Sequence, residues 1–186
     1  MTRFVYYLAA TLDGFIADED DGLDWLTGYE GEAAAEAGAT ADVREAMRRF
    51  DESIGALAMG SATYEWMARH ISEWPYGDRP TYVFTSRGEL DPIDGANLRW
   101  ASGDPAPLAD ELRDAAGERD FWIVGGGELT VLFAEAGLLD EVIVTVVPAV
   151  LGSGKPLFGK PLGRRLTLTG SRPFTTGMVE LTYSVS

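Results

Sequence analysis

Between residues 54 and 147 the chain repeatedly runs a short apolar segment into glycine or hydroxyl residues and then into a helix-length amphipathic stretch. No other feature constrains the fold as strongly. Strands joined through helices lie parallel in one sheet, whereas strands that follow one another directly pair antiparallel. Residues 54–59 read as a strand and 62–70 as a helix with Tyr64, Met67 and Ile71 on one face. Residues 81–85 and 97–101 read as strands. Residues 105–117 form a helix with proline near its start and glycine at its end. Residues 121–124 are a strand, 128–136 a helix and 141–147 a β-branched strand. An earlier strand spans 3–12, and Thr40 is placed to cap a helix over 40–51. The alternating runs 164–171 and 178–186 meet around Gly177 and imply an antiparallel edge. The expectation is one α/β domain over 1–186, with a mainly parallel central sheet, helices on both faces and an antiparallel C-terminal edge.

Composition narrows the chemistry. The 186 residues include no cysteine and one histidine, His70. Disulfides, thiolate catalysis, cysteine-ligated zinc and a multi-histidine metal site within one chain are therefore excluded. Thirty acidic residues face fifteen basic ones, a net charge of −15. Non-specific nucleic-acid binding, which needs a basic face, is not expected. Between Arg3 and Arg44 there is no Lys or Arg, yet ten Asp or Glu, so this stretch alone carries −10. It reads as a solvated acidic loop or weak helix over 18–39 that would also repel anionic ligands. No run approaches the roughly 18 apolar residues of a membrane span, and the first residues lack a signal-peptide pattern; the cytoplasm is the expected compartment.

Three motifs sit where a strand hands over to a loop or helix. Val124-Gly125-Gly126-Gly127-Glu128-Leu129 lets the backbone approach a ligand and opens a helix whose first amides can hold a phosphate. Gly60-Ser61-Ala62-Thr63 repeats that arrangement, with Ser61 also suited to a plain helix cap. Thr85-Ser86-Arg87 offers two hydroxyls and a guanidinium. Ligands of open α/β sheets bind at the carboxyl ends of strands, where all three motifs lie. Other signals fail. Residues 151–156 lack the spacing of a P-loop, and the calcium-like run from Asp18 has Tyr29 where a loop glutamate belongs. His70 is expected to pack or cap rather than catalyse.

In order, these pieces resemble the dihydrofolate reductase superfamily, and within it the branch similar to the C-terminal reductase domain of bacterial riboflavin biosynthesis. The resemblance covers nearly the whole chain. It rests on residues 9–17, Asp24-Trp25-Leu26, Met59 to Glu65, Thr85 to Arg87, the triple glycine, and the tail from Leu139 through Phe158. It implies NADPH as hydride donor. Ala9 and Ile16 would flank the nicotinamide. Gly60, Ser61, Ala62 and Thr63 would hold the pyrophosphate region. Thr85, Ser86 and Arg87 would take the adenosine 2′-phosphate. Val124, Gly125, Gly126, Gly127, Glu128 and Leu129 would cradle the diphosphate. One departure stands out: Ser61 occupies the place of the family's Arg, which normally assists with the 2′-phosphate.

Hydride transfer also needs an acid for the atom beside the reduced carbon. Asp42 is the nearest match to the family's helix carboxylate, with Thr145 as its strand partner; Glu30 and Asp24 compete with it. Asp24, Trp25, Tyr64 and Arg79 are the substrate-binding candidates, Arg79 lying where folate enzymes place an Arg for a glutamate carboxylate. The resemblance thus implies a reductase of a small pyrimidine or pterin-like heterocycle, most like 5-amino-6-(5-phosphoribosylamino)uracil reductase. Folate reduction and a non-catalytic dinucleotide-binding protein are the alternatives. A homodimer is expected, with the 141–150 run as a contributor.

Overall fold

A computed structural model describes residues 2–27 and 40–186. In chain order the strands are β1 (Phe4–Thr11), β2 (Phe15–Ala17), β3 (Ile54–Gly60), β4 (Thr81–Phe84), β5 (Leu98–Ala101), β6 (Asp120–Gly125), β7 (Glu141–Val147), β8 (Lys155–Pro156), β9 (Leu166–Pro173) and β10 (Val179–Val185). The helices are α1 (Asp24–Thr27), α2 (Thr40–Ser53), α3 (Ser61–His70), α4 (Ala109–Ala116) and α5 (Gly127–Glu135). Eight strands form one sheet in the order β5-β4-β3-β6-β1-β7-β10-β9, and β2 pairs with β8 apart from it. Strands β5 through β7 run parallel, while β10 lies antiparallel to both β7 and β9. The parallel sheet and antiparallel edge expected from the rhythm are both present.

The sheet is sandwiched because its central strands are apolar on both faces. On one face, Leu112 of α4 and Leu129 and Phe133 of α5 cover Phe4, Tyr6, Ala56, Ala58, Phe121 and Ile123. On the other, Tyr64 and Met67 of α3 cover Leu57, Met59 and Val83. Ala46 and Val43 of α2 lie on that same side against Ala9 and Val147.

Some expectations change. Helix α3 is capped by Gly60, with Ser61 as its first helical residue. Within the acidic stretch, α1 spans Asp24–Thr27, and Glu30 lies outside the described residues together with the rest of 28–39. Strand β7 is enclosed between β1 and β10, so its β-branched run serves the centre of the sheet. Among the described residues no helix is long and apolar enough to cross a membrane.

Candidate active site

Strands β4, β3 and β6 are neighbours, and their carboxyl ends form one ledge. Strand β3 ends at Gly60 and passes straight into α3; β6 ends at Gly125 and passes into α5. Neither helix start carries a side-chain cap. The first-turn amides of each helix therefore point outward for an acceptor from elsewhere. A Cβ on Gly60 would lie 3.8 Å from the Gly125 carbonyl oxygen, so the two starts are adjacent. Gly125 has φ of +134°, a conformation that a side chain disfavours, and the Gly125–Gly126 peptide is cis. Gly127 is required by space instead: its Cβ would meet the Leu157 carbonyl at 2.6 Å and the Gly159 nitrogen at 2.9 Å.

The ledge continues at β4. The Arg87 amide donates to Thr85 Oγ1 at 3.0 Å, which turns the chain and leaves Ser86 and Arg87 exposed. The Arg87 guanidinium does not stand alone. It donates to Glu65 Oε2 at 2.9 Å, and Arg87 holds the Glu65 carboxyl below its ordinary range. Glu65 lies one helical turn beyond Ser61, on the same side of α3. The sequence reading missed Glu65. Its i+4 spacing from Ser61 was the available signal.

A second group of candidate residues lies on β1, α1 and α2. Ala9 is half-buried and packs in a cluster with Trp25, Leu26, Val43 and Ala46. Ile16 sits in β2, just past the end of β1. The β1–β2 turn is fixed by Asp13, which accepts from Thr11 Oγ1 at 2.6 Å and from the Gly152 amide at 2.7 Å. Trp25 Nε1 is buried and has no hydrogen-bond partner among the described residues. Thr145 lies beside Ala9 in register and is buried. It faces the Tyr7 hydroxyl, which donates to Glu180 Oε2 at 3.1 Å. Burial, reinforced by Glu180, pushes the Tyr7 hydroxyl up to about 12.

Asp42 stands at the start of α2, but its carboxylate is not joined to Thr145 by any hydrogen bond among the described residues. It accepts from the Thr175 amide at 2.9 Å and from the Thr175 hydroxyl at 3.1 Å, and these bonds lower its pKa. Thr175 belongs to the turn between β9 and β10. No spacing rule in the sequence pointed to this tie.

Two further candidates are engaged elsewhere. Tyr64 is buried beneath α3, where its hydroxyl donates to the Asp91 carbonyl at 2.8 Å and accepts from the Ile93 amide at 3.0 Å. Arg79 donates through both terminal nitrogens to Asp51, at 2.5 and 2.7 Å. Asp24 is exposed and lines an open cavity of about 520 Å³ together with Asp20, Asp21, Trp66, Arg69 and His70. His70 packs and caps at the end of α3, its Nδ1 lying 2.7 Å from the Trp66 carbonyl oxygen. It is exposed and stacks on Trp66, with ring centroids 4.4 Å apart.

A mostly parallel sheet with helices on both faces and two uncapped helix starts at one ledge defines a dihydrofolate reductase-like domain. The model of the RibD C-terminal domain family matches residues 4–180. The chain belongs to that family. It is 33% identical over 173 residues to the uncharacterized protein YwjB of Bacillus subtilis, covering 92% of each chain. Its fold is similar to that of a putative riboflavin biosynthesis protein from Shewanella sp. PV-4, with a TM-score of 0.78, 25% identity and 99% of each chain covered. It is also similar in fold to a dihydrofolate reductase from Enterococcus faecalis solved with NADP(H), with a TM-score of 0.63, 18% identity, and 99% and 96% of the two chains covered.

Proposed function

We propose that this protein is a nicotinamide-dependent reductase that transfers a hydride to a small pyrimidine- or pterin-like heterocycle. The observation that carries the reading is the ledge. Two adjacent helix starts without side-chain caps, a glycine with no room for a side chain and a hydroxyl-guanidinium strand end lie in a row. A dinucleotide phosphate chain needs such a row, because several backbone amides must reach it at once. When bound, the reduced nicotinamide supplies the hydride.

The protein's residues would supply the rest. Amides of Ser61, Ala62 and Thr63 and of Gly127, Glu128 and Leu129 would hold the diphosphate; Thr85, Ser86 and Arg87 would meet the adenosine end. Ala9 and Ile16 would bound the nicotinamide, and Trp25 would exclude water above Ala9. Asp42 would pass a proton to the nitrogen or oxygen beside the reduced carbon. An aspartate is ionised at neutral pH, and the bonds from Thr175 lower its pKa further in the free protein, so its acid form is scarce and turnover should quicken toward acid pH. Thr145 would line the wall of the site next to Ala9. A homodimer is part of the same reading. Because β7 is enclosed, the contact would use another surface, and the outer strand β9 with its exposed Leu166 and Leu168 is the one we favour.

The test is a titration of the protein with NADPH and with NADH, following tryptophan fluorescence, then a screen of heterocycles for cofactor oxidation. Micromolar binding of either cofactor supports the ledge. No binding of either would overturn the reductase reading.

A further inference from the structure

The sheet order arranges the positions along the ledge. Strands β4, β3, β6 and β1 are neighbours in that order. With the diphosphate across the helix starts after β3 and β6, and the nicotinamide at β1, the adenosine ribose falls at β4. Gly60 pairs with Phe84 in register, so α3 and the Thr85–Arg87 segment leave the sheet side by side.

The charges at this position are centred on a carboxylate. The first residues of α3, Ser61-Ala62-Thr63, bring no cation; the basic residues of that helix are Arg69 and His70 in its last turn. Glu65 lies between, and its Oε2 accepts from Arg87 Nη2 at 2.9 Å. That hydrogen bond, helped by the charges of Arg87 and Arg69, holds the Glu65 carboxyl below its ordinary range. Oε1 is left to accept from a ligand, and with the side chain 41% exposed a ligand can reach it.

The two nicotinamide dinucleotides differ only at the adenosine 2′ position, where they make opposite demands. A 2′-phosphate carries about −1.5 to −2 charges and accepts hydrogen bonds, whereas a 2′-hydroxyl is neutral and donates one. To the phosphate, Glu65 is a like charge and a competitor for Arg87. To the hydroxyl it is a partner, already oriented by Arg87. Dinucleotide sites on other α/β sheets use the same chemistry: a carboxylate takes the ribose 2′-hydroxyl, and an Arg takes the 2′-phosphate. Neither Glu89, two residues past Arg87, nor Glu128, in the first turn of α5, adds anything for an anion.

We infer that the cofactor is NADH rather than NADPH, and that Glu65, held in place by Arg87, selects it by accepting the adenosine ribose 2′-hydroxyl. The inference rests on the reductase reading and sharpens it. It also departs from the NADPH that the resemblance implies, and the departure lies in two residues, Ser61 and Glu65.

The test is a fluorescence titration of the full chain with NADH, NADPH and 2′-deoxy-NADH. Wild type should bind NADH about threefold or more tightly than NADPH, and 2′-deoxy-NADH about two- to fivefold more weakly than NADH, as fits one hydrogen bond at an exposed carboxylate. In Glu65→Ala the 2′-hydroxyl should no longer matter, so NADH and 2′-deoxy-NADH should bind alike. That variant should melt near the wild-type temperature, because Glu65 pairs at the surface. A structural role for Glu65 would weaken NADH and 2′-deoxy-NADH together and keep their ratio, which overturns the assignment. Wild type that binds NADPH as tightly as NADH, or more tightly, overturns the inference and leaves the reductase reading intact. Undiminished binding of 2′-deoxy-NADH does the same, since Glu65 would then not meet the 2′ position. If none of the three binds, the reductase reading itself falls and the inference with it.

Discussion

The ledge at the ends of β3, β4 and β6 and the surroundings of α2 are built from different materials. The ledge is backbone: helix starts, a glycine that cannot carry a side chain and strand ends in fixed sheet order. The surroundings of α2 are side chains: Asp42 tied to Thr175, Arg79 tied to Asp51, Phe50 laid on Trp122. A backbone site is set by the topology and tolerates most sequence change around it. A side-chain site can be rewired by one new partner. Arg79 and Asp42 have each found a partner within the chain, whereas the ledge keeps its amides directed outward.

That contrast is broken most strongly at Asp42. Replacing it with Asn should lower kcat by about 10²–10⁴-fold if it supplies the proton, with cofactor affinity nearly unchanged. Stopped-flow oxidation of bound cofactor reads the first and fluorescence titration the second. The wild-type kcat/KM should rise as pH falls toward the depressed pKa of Asp42, because the acid form is the active one, and the variant should lose that slope. A variant of undiminished kcat would move the role to another carboxylate.

A second substitution strikes the ledge. Gly127→Ala sets a methyl against the Leu157 carbonyl and the Gly159 nitrogen. Both are backbone atoms, so neither swings away. A loss of about 1–3 kcal/mol in urea unfolding is expected, with cofactor binding weakened at least tenfold. Equal loss of stability with full cofactor affinity would show that Gly127 serves packing alone.

The different legibility of the two regions follows from the same physics. The strand-helix rhythm, the glycines at strand ends and the sheet's antiparallel edge are local or topological, so Gly60, Gly125–Gly127 and Thr85–Arg87 could be read from spacing. The ties around α2 join residues far apart. Asp42 meets Thr175 across 133 positions and Arg79 meets Asp51 across 28. Nothing periodic marks those pairs. Tyr64 illustrates the point: helical spacing placed it on an inward face, yet only the fold shows that its hydroxyl is taken up by residues 91–93. Glu65 is intermediate, readable as a neighbour of Ser61 on one helix face but not as the partner of Arg87.

A smaller effect is expected at the Asp51–Arg79 pair. Asp51→Asn should cost at most ~1 kcal/mol, because the Asp51 side chain is half exposed and solvent screens the pair. The sign with pH is fixed by the direction of the shift. Arg79 depresses the Asp51 pKa, so the pair's contribution is present above the ordinary aspartate value of about 3.9 and is lost as pH falls through the lower folded value. Melting curves of wild type and variant should therefore differ near neutrality and converge at acid pH. A difference that persists at low pH would assign the loss to packing.

The smallest effect tests whether the ledge is as untouched by side chains as its backbone suggests. Its adenosine end is the place where the two building materials meet. With Ser61 where the resemblance leads one to expect Arg, Arg87 is the guanidinium that follows β4, and Glu65 already holds it. A 2′-phosphate must share or displace that contact, with the Glu65 carboxylate remaining close by. The pair is exposed and screened, so the effect on affinity is modest. Glu65→Gln should tighten NADPH by about three- to tenfold and leave NADH within twofold. Raising the salt concentration should shrink the difference, since the repulsion is screened. Arg87→Ala should weaken NADPH more than NADH. If Glu65→Gln changes the two cofactors alike, the carboxylate does not discriminate at the 2′ position, and preference there belongs to the Thr85–Arg87 backbone and hydroxyls alone.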